Sequence, residues 1–200
     1  MTQLNTEKLK GKFIVLDGPD GCGKTTQTEL LAQYLSENSL TADSFRDPGT
    51  TAIGEKIREI LLATDHKKMT TTTEVLLYMA ARLQLWTENI HPALAENHTV
   101  LLDRWLSSTC AYQGAAGRFG IDNVIQIAEK CLQKPWPDLT IILDCDSETA
   151  GSRMKRDLDR MEQKGPEYHR AVRDVLIAKA QKRLNQIGRA SRRERVCVGE

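Results

Sequence analysis

The run "FIVLDGPDGCGKTT", Phe13 to Thr26, constrains the fold more than any other stretch of the chain. Four apolar residues are followed closely by three glycines, a lysine and two threonines. Gly18-Pro19-Asp20-Gly21-Cys22-Gly23-Lys24-Thr25 satisfies G-x-x-x-x-G-K-[ST], with a strand pattern before it and a helical pattern after it. Each residue type has a physical task. Glycines allow unusual dihedrals and close backbone approach. Successive N–H groups and the positive end of the following helix attract anionic oxygens. Lys24 then reaches the β- and γ-phosphates of a nucleotide, the Thr25 hydroxyl is placed for Mg²⁺, and Thr26 closes the loop. A strand–turn–helix that is only structural needs no lysine there. The loop therefore predicts a polyphosphate cradle, but switch proteins, motors and small-molecule kinases all use one.

The rest of the chain continues the alternation. "FIVLD" (13–17), "TVLLD" (99–103) and "LTIILD" (139–144) read as strands apolar on both faces, and "TADSF" (41–45) as a weaker one. Helical patterns fall at 24–37, 53–62, about 73–96, 121–132, 147–161 and about 167–186. This order predicts an α/β fold, a mainly parallel sheet flanked by helices. Two hundred residues suit one domain with a small lid. A net charge of +1 argues against a polybasic surface for nucleic acid or membrane. The polar amino terminus "MTQLNTEKLKGK" and the shortness of every apolar run predict a cytoplasmic protein. Five scattered cysteines, Cys22, Cys110, Cys131, Cys145 and Cys197, have no metal-ligand spacing and read as free thiols, small buried hydrophobes except Cys22, which sits inside the glycine loop and is expected to be partly exposed.

A second site is expected at "VLLDRWLSSTCAYQG" (100–114). Asp103 and Arg104 stand at the carboxyl end of a strand, where ligands bind in open α/β sheets. An aspartate there can hold Mg²⁺ and an arginine can fork onto a phosphate. Tyr78 and Arg82, four apart, share one helix face. Tyr78 taken alone reads first as a core aromatic, whereas a buried Arg82 requires partners.

These segments together resemble the bacterial thymidylate kinases (dTMP kinases), which are P-loop nucleoside monophosphate kinases. "DRWLSSTCAYQG" resembles the family's DR-x-x-x-S-x-x-A-Y-Q-G, "FRDPGTT" its R-E-P-G-G-T, and "EVLLYMAARLQL" its E-x-L-L-[FY]-x-A-x-R helix. "PDLTIILD" resembles its P-D-L-T-x-x-L-D strand and "DRME" its D-R-[IM]-E at the end of the lid. The match spans about residues 12–186. It implies ATP- and Mg²⁺-dependent conversion of dTMP to dTDP in a homodimer, with small-molecule partners only.

The resemblance also assigns roles. Tyr78 stacks on thymine and Arg82 bonds a base oxygen. Arg104 holds the acceptor phosphate, while Ser108, Thr109, Tyr112 and Gln113 line the base and sugar pocket. Asp20 lies near the sugar hydroxyl and the metal, and Asp47 with Pro48 shapes the acceptor side. Asp47 replaces the usual glutamate, "PGTT" replaces P-G-G-T, and Trp105 a common tyrosine or histidine. The glycine loop lacks arginine, so the transition-state cation is expected from the lid, about 151–165. Arg153 is the first choice and Arg156 the next, from a set that also holds Lys155 and Arg160.

The kinase domain is thus read as 1–186. The tail 187–200, "GRASRRERVCVGE" from Gly188, is arginine-rich and without periodicity. It reads as a native basic tail, a last strand around "RVCVG", or foreign sequence; the last reading is preferred and the tail is kept out of the functional expectation. Without the last strand and closing helix of the family, part of the adenine pocket would be missing. The alternatives are a kinase for another deoxynucleoside or monophosphate, a nucleotide-dependent switch, or a truncated, non-catalytic nucleotide-binding fragment.

Overall fold

A computed structural model describes residues 6–134, 136–145, 147–153, 157–184 and 195–199. Five parallel strands form one sheet in the order β2-β3-β1-β4-β5. They are β1 (Phe13–Asp17), β2 (Ala42–Arg46), β3 (Thr99–Asp103), β4 (Leu139–Leu143) and β5 (Arg195–Gly199). The central strand β1 runs beside β3 with Ile14 opposite Leu101, and beside β4 with Leu16 opposite Ile141. Asp138 locks that second register, because its Oδ2 accepts the Phe13 N–H at 2.9 Å while its own N–H donates to the Phe13 carbonyl at 2.8 Å.

Alternation along β1 sends its side chains to two separate cores. Phe13 and Val15 pack with Val75, Met79, Trp86 and Trp105 on one side. Ile14 and Leu16 pack with Leu35, Leu40 and Leu101 on the other. Every residue of β1 is buried, as its apolar run predicts, and each large apolar side chain so placed contributes about 1.5–3 kcal/mol. The weak pattern of β2 has a physical reason: it is the sheet's edge strand, and none of its residues is fully buried.

Helix α1 (Lys24–Glu37) follows the glycine loop over its expected span. Helices α2 (Ala52–Leu62) and α3 (Thr71–Leu85) pack on one another, capped by the Thr51 and Thr70 hydroxyls. A π turn, Trp86–Ile90, joins α3 to α4 (His91–Ala95), so the helical pattern at 73–96 is three segments in one run. The segment after β3, which the sequence pattern did not assign, forms α5 (Leu106–Thr109) and a π turn, Cys110–Ala116. Helices α6 (Ile121–Cys131) and α8 (Pro166–Leu184) complete the layers.

One helix is shorter than expected. The helix predicted at 147–161 is only α7 (Ser147–Arg153); Asp157–Asp159 are not helical. Asp159 starts a new turn instead. Its Oδ1 accepts the N–H of Met161 and of Glu162, and Glu162 Oε2 accepts the Asp159 N–H, a reciprocal cap. In the tail, the reading of a last strand around "RVCVG" agrees with β5, which pairs with β4, Leu139 opposite Arg195. Of the cysteines, Cys110 is buried and Cys22, in the glycine loop, is partly exposed, both as read; Cys145 is partly exposed and Cys131 exposed, against the buried reading.

Candidate active site

Because all strands are parallel, the carboxyl ends of β1, β2 and β3 bring Asp17, Asp47, Asp103 and Arg104 to one edge of the sheet. There the glycine loop turns into α1. Gly18 (φ 150°) and Gly21 (φ 79°) take conformations a side chain opposes, and a Cβ would meet the Leu143 carbonyl oxygen at 2.2 Å and that of Ala150 at 2.5 Å. No side chain caps α1 and no acidic residue lies in its first turn, so its leading N–H groups are left for an anion from the cleft.

Two clefts open at this edge. The first, about 570 Å³ and open to solvent, is lined by every expected acceptor residue: Asp47, Pro48, Tyr78, Arg82, Arg104, Ser108, Thr109, Tyr112 and Gln113. The second, about 1110 Å³, is lined by Gly21, Gly23, Lys24, Thr25 and Thr26, together with Asp103 and Arg153. Gly18, Pro19 and Cys22 line neither; the first two turn their carbonyls inward and take the Lys24 ammonium at 3.2 and 2.7 Å. Burial, helped by the Arg104 charge, holds Lys24 below the usual lysine value.

Arg104 stands between the clefts and lines both. Its backbone is left-handed, φ 68°, a conformation that costs a non-glycine residue of order 1–3 kcal/mol. Its guanidinium donates to the Gly18 carbonyl (3.0 Å), to Ser108 Oγ (2.9 Å) and to Asp20 Oδ1 (2.5 Å), and lies 5.3 Å from the Tyr112 ring centre. Tyr112 donates its hydroxyl to the other Asp20 oxygen at 2.9 Å. Burial pushes the Asp20 carboxyl up, but Arg104 and Lys24 more than reverse it and hold the group well below the carboxylate range. Asp17, fully buried, supports this cluster by accepting the hydroxyls of Ser107 and Ser108.

Arg82 is buried, as are its partners. Its Nε and Nη2 donate to Asp47 Oδ2 at 2.8 and 2.5 Å, Nη2 also to Thr109 Oγ1 at 2.9 Å, and the cation lies 5.0 Å from the Trp105 ring centre. The shorter aspartate therefore still reaches the arginine. Burial pushes the Asp47 carboxyl up, with Arg82 opposing. Asp47 Oδ1 is buried without a hydrogen-bond partner at the edge of the first cleft. Tyr78, half-buried on the cleft wall, is not a core aromatic.

The Thr25 hydroxyl donates to Asp103 Oδ2 at 2.8 Å. Two hard oxygens on adjacent elements fit Mg²⁺, which takes few protein ligands and completes its shell with phosphate oxygens and water. Arg153, from α7, donates to the Gly21 carbonyl at 3.4 Å over the glycine loop. Lys155 and Arg156 lie outside the described residues. Arg160 departs from the solvated lid face: it is buried, donating to Glu74 Oε1 at 2.6 Å and to the Leu61 carbonyl at 2.8 Å.

Several residues of the clefts, charged ones among them, went unassigned in the sequence. Arg58 lines both, its Nη1 donating to the Pro48 carbonyl at 3.1 Å. The signal was there: Arg58 lies three and four residues before Leu61 and Leu62, a cation on the inward side of α2. Arg46 lines the second cleft while paired with Glu55 at 2.9 Å, and Asp159 lines the first.

The sequence matches the family model for thymidylate kinase over residues 16–196. A thymidylate kinase of Clostridium novyi is 39% identical over 182 residues, 89% of this chain and 89% of that one. One from Pelotomaculum thermopropionicum is 41% identical over 194 residues, 94% and 89% of the two chains. The crystal structure of thymidylate kinase from Ehrlichia chaffeensis superposes with a TM-score of 0.73 at 28% identity, covering 96% of this chain and 90% of that one. A nucleotide loop, a second cleft across Arg104 and this likeness along nearly the whole chain agree: the chain belongs to the thymidylate kinase family, with its P-loop kinase fold.

Proposed function

We propose that the chain transfers the γ-phosphoryl group of ATP to the phosphate of dTMP, giving dTDP and ADP, with the two nucleotides seated on either side of Arg104. The observation that carries this reading is the wall the clefts share, formed by Asp20, Arg58 and Arg104. A hydrolase or switch has no use for a second cleft lined by Tyr78, Arg82 and Arg104 beside its phosphate loop. A phosphate oxygen of dTMP attacks the γ-phosphorus, the bond to the β-γ bridging oxygen breaks, and ADP leaves. Such a transfer needs positioning and charge neutralisation more than covalent help.

The residues divide accordingly. The loop N–H groups and Lys24 grip the donor's β- and γ-oxygens, Lys24 exchanging the carbonyls of Gly18 and Pro19 for phosphate. Arg104 and Arg58 take the acceptor phosphate, so that Asp20 yields a partner when dTMP enters. Arg153, over the same loop, meets charge developing between the two phosphates. Thr25 and Asp103 hold Mg²⁺, whose charge would neutralise the donor oxygens. Tyr78, Arg82, Thr109 and Gln113 enclose the base. We place the reaction in the cytoplasm, supported by family membership and by the absence, among the described residues, of any helix long and apolar enough to cross a membrane. Two copies pair through the exposed Ile53 and Ile60 of α2 and Leu76 of α3.

A coupled assay for ADP tests the assignment. Turnover is expected with dTMP in strong preference to dCMP and thymidine, and Lys24→Met is expected to lower kcat on the order of 10²-fold or more, since phosphate charge is left unopposed. ADP release at the same rate without any acceptor would refute the reading.

A further inference from the structure

Glu74 stands on α3 just behind the base end of the first cleft, without lining it. It is buried, and its carboxylate collects donors from three residues on two segments. Oε1 accepts from Arg160 Nη1 at 2.6 Å and Lys164 Nζ at 2.8 Å; Oε2 accepts from Lys164 Nζ at 3.1 Å and Gln113 Nε2 at 3.0 Å. Burial favours protonation, but the hydrogen bonds from Lys164, Arg160 and Gln113 outweigh it and hold Glu74 below the usual glutamate value. It is an ionised carboxylate, and such a group accepts hydrogen bonds only.

That fixes something Gln113 cannot fix alone. A carboxamide has a donor end and an acceptor end of nearly equal shape. Gln113 lies in the π turn Cys110–Ala116, on the wall of the acceptor cleft. Facing Glu74, it can only present its NH₂ group. Among the described residues nothing donates to Gln113 Oε1, and that oxygen is not one of the buried atoms sealed away without a partner. The cleft therefore meets an acceptor. Thymine carries an N3–H donor between two carbonyls, whereas cytosine carries an N3 acceptor at the same place. Two acceptors facing one another leave both unpaired, and a site built around a hydrogen bond rejects the wrong partner strongly.

We infer that Glu74 is a positioning residue for base selection: by holding the Gln113 carboxamide in one orientation, it makes the acceptor cleft select a pyrimidine with an N3–H over cytosine. The inference rests on the assignment of this cleft to the dTMP base. Glu74 touches no substrate, and its other partners, Arg160 and Lys164, belong to the end of the lid.

The test compares kcat/KM for dTMP and dCMP in three variants. Glu74→Gln lets the Gln113 amide turn, and the dTMP-to-dCMP ratio is expected to fall on the order of tenfold, mainly through the KM for dTMP, with the KM for ATP unmoved. Lys164→Met removes a lid-side partner of Glu74 without touching Gln113, and should leave the ratio as it was. If Lys164→Met lowers the ratio as much as Glu74→Gln, or if Glu74→Gln leaves it unchanged, the inference is overturned. Gln113→Leu separates the two levels. A raised KM for dTMP supports the base assignment even where Glu74→Gln does nothing, and an unchanged KM removes that assignment and the inference with it. A readout independent of variant folding uses the parent protein labelled with ¹⁵N-glutamine. On titration with dTMP the Gln113 side-chain hydrogen bonded to Glu74 should stay protected from exchange; its release to the ligand would overturn the orientation argued here.

Discussion

Separating Arg82 from Asp47 should be among the most damaging single changes available to this chain. Both side chains are 1% exposed, and two of the guanidinium donors converge on one carboxylate oxygen. Charges about 4 Å apart at an effective dielectric near 20 attract by about 4 kcal/mol. Removing one partner from a buried pair leaves the other unpaired and typically costs about 3–5 kcal/mol. Asp47→Leu and Arg82→Met are each expected to lose about that much. For a domain of this length the loss is a fall of roughly 6–20 °C in Tm. The double variant is the discriminating case. Additivity predicts a loss of about 8 kcal/mol, whereas removing both charges together leaves no orphan and should cost about 4 kcal/mol or less. Urea unfolding of the four proteins measures the cycle, and the dTMP and ATP KM values accompany it. Arg82→Met should raise the KM for dTMP while leaving that for ATP within about twofold. A double variant at least as unstable as the summed singles would refute the pairing as an energetic unit.

Acid stability and assembly give two further expectations. The Glu74 pKa is depressed in the fold below its ordinary 4.5. Its contribution is thus present in full above that unfolded value and is lost as pH falls through the lower folded one. The gap in urea midpoint between the parent and Glu74→Gln should therefore be wide at about pH 7 and narrow at about pH 3, and a gap that widens on acidification contradicts the sign. Light scattering should find twice the chain mass for the parent, and Ile60→Lys with Leu76→Lys should shift it to the monomer; an unchanged mass would place the contact elsewhere.

The sheet and its helices were legible because their signals are local. β1 and β3 are built on continuous apolar runs, α1 begins at the lysine of the loop, and the "PDLTIILD" and "DRME" segments stood out as motifs. Their structural tasks were not legible. The "DRME" Asp159 and Glu162 cap one another, and its arginine is spent on Glu74, 86 residues away. The helix extended to 161 failed for the same reason: periodicity could not show that Asp159 would open a new turn. In the tail, "RVCVG" was open to reading as a strand, but composition could not reveal that its neighbour would be β4.

The glycine loop was readable from the chain alone, since its glycines, Lys24 and Thr25 are neighbours along the backbone and their spacing is their geometry. So were the residues expected to line the first cleft, each on a recognisable segment. Only the tertiary structure decided what each charge faces: Arg104 shared between two clefts, Arg82 held by Asp47 across 35 positions, Arg160 withdrawn from the lid surface, and Arg58 turned inward. Covalent spacing fixes the first kind of contact. The second is fixed by which helix the core draws against which strand end, and a buried charge then takes whatever partner that packing brings within reach.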